Sequence, residues 1–265
     1  MINPYLKTYL ITVQDNCNYR IDLLIKIITG FIFSYAQVVI WYAITNANKH
    51  LLEPEVIDNT IKYIILSSAI WNIIFSVNVS AIEGKIRTGS ISRDLLYPIS
   101  LPVSLLFNML GSITARIITN AIPSVLVLTI IYRPAWNYSL VNILGLIIGC
   151  MLGFCINFLI NFIVDTISFW WLETFSFQCI KQGLLVFLGG CLVPLWFYPQ
   201  WLLKIINLLP FKNIIYVPIA FFLGNISTEQ YCYQLLLYLF WILFLGLLSG
   251  IIWKAGTKKL VVQGG

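Results

Sequence analysis

The stretch Gly145–Asp165 reads GLIIGCMLGFCINFLINFIVD and combines an apolar background with a strict four-residue repeat. Gly145, Gly149 and Gly153 are followed at the same interval by two asparagines and by the closing aspartate. Residues four apart share one side of an α-helix, and glycines at this spacing let a second helix approach closely within a membrane. The stretch therefore predicts a tightly packed membrane helix whose asparagines hydrogen-bond across the contact.

The composition of the whole chain predicts an all-α integral membrane protein. Of its 265 residues, 60% are hydrophobic and only 10% are charged, so a soluble domain of this length could neither bury the apolar surface nor wet its exterior. We expect no cleaved signal peptide, because no basic stretch with a short apolar region and a cleavage site precedes the first long apolar run. We attribute the net charge of +6 to the orientation of the chain in the membrane, and we expect no nucleic-acid partner.

Six apolar runs are long enough, at about 20 residues each, to cross roughly 30 Å of hydrocarbon. They predict six transmembrane helices within one transmembrane domain, residues 1–265. The predicted spans are Ile21–Thr45, Thr60–Ser80, Leu101–Tyr132, Leu140–Val164, Phe175–Leu192 and Tyr231–Trp253.

The distribution of positive charge predicts the orientation. Most of the 16 lysines and arginines lie with the two termini or between the second and third spans, whereas Glu53, Glu55 and Asp58 lie in the first loop on the opposite side. Because cytoplasmic loops carry an excess of lysine and arginine, both termini are expected in the cytoplasm. The predicted location is the plasma (inner) membrane, crossed several times.

Two further segments are apolar but do not read as spans. Residues 1–20 carry Tyr5, Tyr9 and Val13 at helical spacing, which predicts a short helix lying in the membrane interface. Residues 192–224 are cut by four prolines into pieces of roughly 10 residues, too short to cross, which predicts re-entrant helices before the sixth span. The alternative for this second segment is an ordinary proline-rich outer loop.

Residues 82–100, IEGKIRTGSISRDLLYPIS, concentrate charge between the second and third spans. A short helix is predicted over Ile91–Tyr97, with Ser90 or Ser92 as its N-cap and Pro98 preventing continuation. An apolar side with a charged rim resembles a small docking surface, whereas a simple charged connector would fix orientation alone. The predicted apolar side is Ile91, Leu95 and Leu96, and the predicted rim is Lys85, Arg87, Arg93 and Asp94.

The third span contains a charge deep in the apolar region. Ser112, Arg116 and Asn120 recur every four residues, and a charge at such depth normally faces a partner or a wet cavity. Asp165 and Glu173 are candidate partners of Arg116, and Pro123 is expected to kink the helix. The three residues are candidates for a translocation pathway; snorkelling or an internal ion pair would also explain the arginine.

The sequence contains no motif for catalysis or for metal binding. No GxxxxGK[ST] phosphate loop is present, so the chain is not expected to hydrolyse ATP by that route. The single histidine, His50, lies in a predicted outer loop, and no paired carboxylates lie within a span.

Three strings, in this order, resemble the membrane subunit of type-2 ABC exporters, in a branch of ABC-2 family permeases. They are IRTGSISRDLLYPIS (86–100), PLWFYPQWLLKIINLLPFKNIIYVPIAFFLG (194–224) and WKAGTKKLVVQGG (253–265). Tyr97 stands where that branch has arginine. The resemblance covers nearly the whole chain and includes the interfacial helix, six spans, coupling segment and re-entrant pair.

This resemblance implies an ATP-driven exporter in which residues 82–100 dock a separate ABC ATPase subunit. ATP and Mg²⁺ would be bound by that ATPase, and no cofactor by this chain; a second copy, or a related permease, would complete the pathway in the lipid bilayer. The alternatives are an ion-coupled secondary transporter, for which an inverted repeat and intramembrane carboxylates would be expected, a lipid-modifying enzyme, or a non-transporting membrane anchor. The aromatic content and polar ridges suit an amphipathic cargo.

Overall fold

A computed structural model of the chain describes residues 3–18, 20–75, 81–136, 138–171 and 173–259. Within these residues all regular structure is helical and there is no strand, as the sequence predicts. The α-helices are α1 Pro4–Asn18, α2 Arg20–Ala47, α3 Pro54–Phe75, α4 Ala81–Arg87, α5 Ser90–Leu96, α6 Leu101–Arg116, α7 Ile122–Tyr132, α8 Leu140–Thr166, α9 Phe175–Leu188, α10 Gln200–Asn207, α11 Tyr216–Phe222 and α12 Thr228–Thr257. Short 3₁₀ turns cover Ile167–Phe169, Leu195–Phe197 and Phe211–Asn213.

Four helical segments of the described residues are long and apolar enough to cross a membrane. They coincide with the predicted first, third, fourth and sixth spans, and they define a multi-pass membrane protein. Their bounds are Leu23–Ala47, Leu101–Tyr132, Leu140–Phe169 and Thr228–Thr257.

The predicted second and fifth spans have a different character. Helix α3 begins six residues before the predicted Thr60 and is the most enclosed long helix, with an almost unbroken buried stretch from Thr60 to Ile74; the end of the predicted span, residues 76–80, lies outside the described residues. Helix α9 ends at Leu188, four residues early, so it rises about 21 Å against the roughly 30 Å of a bilayer core. Gly189 and Gly190 follow it, and Gly190 has φ 76°, a left-handed conformation that ends a helix.

The third span is interrupted by a π-helical turn over Ile117–Ala121. The N–H of Ile122 donates to the carbonyl of Ile117, five residues back, and Pro123, which has no N–H to donate, lies in the first turn of α7. A residue is thus inserted in the turn before Pro123, and the kink expected at this proline stays a prediction. One extra residue per turn rotates the side chains that follow it around the helix axis.

The glycine ridge of α8 receives two other segments of the chain. A Cβ at Gly145 would overlap the ring of Phe221 in α11, and one at Gly153 would lie 3.0 Å from the carbonyl oxygen of Asn213. At Gly149 the nearest atoms would be the Pro218 Cβ and the Tyr231 hydroxyl, both at 2.8 Å. The predicted close packing is confirmed, with α11 and α12 as the partners.

In this core, where water is excluded, tyrosine hydroxyls donate hydrogen bonds to backbone carbonyl oxygens. Tyr231 of α12 donates to Gly145 O at 2.6 Å, and Tyr63 of α3 donates to Gly190 O at 2.6 Å. Tyr238, fully buried, donates to the carbonyl of Asn213. The last two bonds reach carbonyls at breaks between helices, which the helices themselves cannot satisfy.

Prolines divide residues 192–224 into the short pieces that the sequence predicts. Pro194, Pro199 and Pro210 each immediately precede a helical turn, and Pro218 lies in the first turn of α11. Helix α11 is buried from Val217 to Phe222, although it has only seven residues. Its position against the α8 glycines explains how so short an apolar helix is stabilised.

Replacing Gly149 by alanine should destabilise the protein by about 1–3 kcal/mol, because the added methyl overpacks Pro218 and Tyr231. The matched control is Gly246→Ala in α12, where a Cβ would meet nothing within 4 Å. That variant should be neutral or more stable by roughly 0.5–1 kcal/mol, because alanine is the better helix former. Thermal unfolding in detergent compares the two, and equal midpoints would contradict the packing role of Gly149.

Candidate functional site

Helices α4 and α5 form a short hairpin at the end of the bundle where α8 and α12 finish. Gly89 joins them with φ 71°, a left-handed conformation suited to glycine, and no side chain caps α5, so the predicted serine N-cap is wrong. Tyr97 is extended before Pro98, which ends α5 as predicted.

The predicted apolar docking side of α5 is divided between two faces. Leu96 is 87% exposed and Leu95 is 42% exposed, whereas Ile91 is 1% exposed. Ile91 packs in a cluster with Ile82 and Phe162. The prediction that Ile91 belongs to the exposed apolar side is wrong, because the start of α5 packs on the bundle; Leu95, four residues later on the same side, is only partly exposed.

Some of the charged residues of the predicted rim form ion pairs within the hairpin. Lys85 of α4 forms an ion pair with Asp94 of α5, which joins the two helices. Arg87 approaches Glu83 Oε1 at 3.7 Å with most of its side chain exposed, and Arg93 is exposed on α5. Arg87 and Arg93 are therefore the cations of the rim that remain accessible.

Two buried carboxylates attach the hairpin to α8 and to the loop before α9. Glu83 Oε2 accepts hydrogen bonds from the backbone N of Thr174 at 3.2 Å and from its hydroxyl at 2.5 Å. Asp165 Oδ2, at the end of α8, accepts one from Ile82 N at 2.8 Å. Hydrogen bonds to a charged acceptor are among the stronger ones, so these contacts hold α4 firmly. Sequence reasoning did not assign this role to either residue.

The translocation candidates lie along two cavities that meet at Arg116. A cavity of about 570 Å³ is lined by Arg116 and Asn120, and one of about 450 Å³ by Arg116 and Ser112. Lys26 of α2 lines both cavities as well. The structure thus places the three predicted residues on the walls of two cavities that share Arg116, and it adds Lys26, which the sequence shows as a charge inside an apolar run.

Asn120 fixes α2 against the π turn. Its side-chain Nδ2 donates to the carbonyl of Lys26 at 3.0 Å, and Gly30, one turn further along α2, leaves the space that the Asn120 amide occupies. Asn72 of α3 donates to Gly30 O at 3.1 Å and to Ser34 Oγ at 2.8 Å. Two asparagines therefore hold about two turns of α2 beside Arg116, from Lys26 to Ser34.

The candidate partners of Arg116 have different positions. Asp165 lines the 450 Å³ cavity with Arg116, and one of its oxygens accepts from Ile82. Glu173 is exposed in the loop between α8 and α9. Of the asparagines on the α8 ridge, Asn161 accepts from Lys181, whereas the buried amide of Asn157 has no hydrogen-bond partner among the described residues. The predicted asparagine bonding across the glycine contact is not observed at Asn157.

Helix α1 forms one wall of the smaller cavity. It packs along α6, where the Tyr9 hydroxyl donates to Thr114 Oγ1 at 3.1 Å and the Tyr5 hydroxyl accepts from Ser100 N at 3.1 Å. Asp15 of α1 lines the cavity. Among the described residues no group of three or more histidine, cysteine, aspartate or glutamate side chains could hold a metal ion.

The fold and this region define a multi-pass helical membrane protein with an anchored hairpin at one end and a charged cavity among its helices. The family model of the ABC-2 family transporter protein matches residues 31–264, and the chain belongs to that family. Its members are membrane components that normally work with an ABC ATPase. No curated protein in the comparison matches the chain.

Replacing Glu83 by alanine should loosen α4 and α5 without unfolding the bundle, because it removes both bonds to Thr174. Hydrogen bonds to charged groups contribute about 1.5–3 kcal/mol each, so amide exchange over residues 82–96 should accelerate by an order of magnitude or more. Arg93→Ala, on the exposed face of α5, is the control. Equal exchange rates in the two variants would contradict an anchoring role for Glu83.

Proposed function

We propose that the chain is the membrane-spanning permease subunit of an ATP-driven exporter. It would form the translocation pathway as a homodimer or with a related permease, and separate ABC ATPase subunits would bind ATP and Mg²⁺. Membership of the ABC-2 family supports the permease class. The direction of transport rests on the resemblance of the three sequence strings to exporters.

The main observation in support of this proposal is the structure of the α4–α5 hairpin. Two large apolar side chains, Leu95 and Leu96, are exposed on α5, and the other helix of the hairpin, α4, is attached to the bundle through Glu83 and Asp165. A connector that only joined two spans would need neither the exposed leucines nor the buried carboxylates. Such a hairpin suits docking of the ATPase, with Arg87 and Arg93 at the accessible rim.

The same contacts offer a route for motion. Displacement of α5 by the ATPase would pull on α8 through Asp165, and α8 packs through its glycine ridge on α11 and α12. The end of α12 also packs on the hairpin side, where Trp253 lies 5.5 Å from Phe162 between ring centroids. ATP-driven closure would therefore move α8, α11 and α12 together.

The proposed topology has six spans. It takes α3 and α9 as the second and fifth spans, residues 192–224 as the re-entrant segment and α1 as the interfacial helix. Both termini would face the cytoplasm at the plasma membrane, as the excess of lysine and arginine indicates. Ser112, Arg116 and Asn120 would line the pathway, which their position on the two cavities supports.

The double variant Leu95→Ala/Leu96→Ala should weaken co-purification of the ATPase, because it removes the exposed apolar anchors. Truncating interface anchors costs about 1–3 kcal/mol, which corresponds to roughly 5- to 150-fold in affinity. ATP-driven transport in vesicles should fall in parallel, while expression and thermal stability remain close to wild type.

Leu51→Ala is the matched control, since Leu51 is 74% exposed in the loop between α2 and α3, on the side expected to face outward. Full assembly and transport by the double leucine variant would refute docking at α5. Transport that needs an ion gradient and no ATPase would favour the secondary transporter.

A cysteine placed at Glu55 should react with an impermeant thiol reagent only from outside the cell. Glu55 is exposed at the start of α3, and native Cys17 is exposed on α1, where it should react only from the cytoplasmic side. Comparison of intact cells with inverted vesicles reads out each position in variants that keep only the cysteine being tested, because Cys155, Cys179 and Cys232 are exposed as well. Labelling of Glu55→Cys in inverted vesicles alone would overturn the proposed orientation.

A further inference from the structure

Residues 194–222 enter the bundle from the end where α2 and α7 finish in ring contact and where α8 begins. The ring of Phe197 lies 5.3 Å from that of Trp41, which is about 9 Å before the end of α2. Asn213 lies against Gly153, about 20 Å along α8 from its start. Helix α10 lies between these two points of the chain, so it runs from near the end of the membrane helices towards their middle.

Helix α11 runs back along α8 to the same end of the bundle. Pro218 lies against Gly149, and the carbonyl of Phe222, at the end of α11, accepts a hydrogen bond from Asn142 Nδ2 at 3.1 Å near the start of α8. This returning helix is buried along its length from Val217. The entering helix, α10, is the one that keeps exposed sides.

Helix α10 has three different sides. One side packs on the end of α9 through Ile206, which is fully buried. The second side is apolar and exposed, and it consists of Trp201, Ile205 and the C-cap residue Leu208. The third side is polar and exposed, and it consists of Gln200, Lys204 and Asn207. The two exposed sides lie about 100° apart around the helix, because each polar residue immediately precedes an apolar one.

The polar side of α10 does not suit a hydrocarbon neighbour at this depth. Exposed polar groups in the membrane interior are costly, and they normally face protein or a water-filled space. The long side chain of Lys204 is able to extend towards the membrane surface, but Asn207 lies about one turn deeper and has a short side chain. The polar side therefore faces water, while the apolar side of Trp201, Ile205 and Leu208 faces lipid.

The charge on this part of the chain is positive. Residues 174–228 contain no aspartate or glutamate, and lysine is their only charged residue type. Lys212, which is 6% exposed, donates from Nζ to Asn207 Oδ1 at 2.8 Å. Among the described residues, neither Lys204 nor Lys212 forms an ion pair with a carboxylate. Two lysines therefore flank Asn207, and their potential attracts negatively charged groups.

We propose that Gln200, Lys204 and Asn207 line a water-filled vestibule that extends from the end of the bundle where α8 begins towards the middle of the membrane, and that this vestibule favours negatively charged groups. The inference rests on the proposed function, since it assigns a wall and a charge to one part of the translocation pathway. An anionic group of a transported molecule would be attracted as it passes Lys204, whereas a cationic group would be repelled.

The first test is thiol reactivity in the full chain, freed of its exposed native cysteines and held in phosphatidylcholine nanodiscs, which leave both membrane faces accessible. Asn207→Cys should react roughly 10-fold or more faster than Leu208→Cys with the anionic reagent sulfonatoethyl methanethiosulfonate, because the reacting thiolate forms in water. Lys204→Cys and Ile205→Cys are a matched pair nearer the membrane surface. All four positions are exposed, so these variants should fold like wild type, which thermal unfolding checks.

Equal rates within each pair would overturn the inference. Slow reaction at all four positions would mean that lipid or a second copy of the chain covers the polar side, and fast reaction at all four would mean that α10 does not separate water from lipid.

The second test measures the sign of the electrostatic potential at Asn207→Cys. The anionic reagent should react faster than the cationic trimethylammonioethyl methanethiosulfonate, once each rate is divided by the rate of that reagent with a free thiol in solution. Lys204→Gln should reduce this preference by roughly 3- to 10-fold, the scale of one unit charge about 6 Å away in water. Lys258→Gln, at the end of α12 beside the hairpin, is the control and should leave it unchanged. A preference that Lys204→Gln does not alter would overturn the assigned charge.

Neither test uses the ATPase, so this inference and the proposed function fail separately. Co-purification of the ATPase with Lys204→Gln should be normal, because α10 lies far along the chain from the α4–α5 hairpin and at the other end of α8. A reactive polar side without any ATPase partner would refute the partnership and leave the vestibule standing. ATP-driven transport with an unreactive polar side would refute the vestibule alone.

Discussion

The close contact between the α8 glycine ridge and α11 is the interaction on which the rest of this bundle depends. A seven-residue helix cannot cross a bilayer, and its backbone ends need partners where water is scarce. The glycines remove the side chains that would keep α11 and Asn213 at a distance, and Tyr238 then reaches the Asn213 carbonyl. Without that approach the proline-broken segment would have no enclosed place in the fold.

Helix α8 also connects the two ends of the molecule. Its glycines face α11 and α12, while Asp165 at its last turn holds the start of α4. The four-residue repeat of α8 therefore has two structural roles. Its glycines pack closely against α11 and α12, and its final aspartate forms a hydrogen bond with α4. A rigid helix with a fixed contact at each end is well suited to transmit displacement, because tightly packed interfaces shift as units.

Around Arg116, polar side chains lie in an otherwise apolar part of the bundle, where they line two cavities. The π turn adds a residue after Arg116 and so changes the direction in which the Asn120 side chain points. This side chain donates a hydrogen bond to the backbone of α2. Such turns are frequent at functional positions of helices. Lys26 reaches the same cavities from α2, so two cations from separate helices share one polar region.

The sequence by itself determined the helical class, the breaks at the prolines, the packing use of the α8 glycines and, among the six predicted spans, the four long membrane helices, because hydropathy, periodicity and missing N–H groups act locally. It also located Arg116 as a charge in an apolar run. Only the tertiary structure decided that Ile91 points inward while Leu96 points out, because both are apolar, they lie about 140° apart around α5, and the packing of α5 decides which of these sides is buried. It likewise paired Glu83 with Thr174, 91 residues away. Such a pairing depends on how helices pack, which no local pattern of residues specifies.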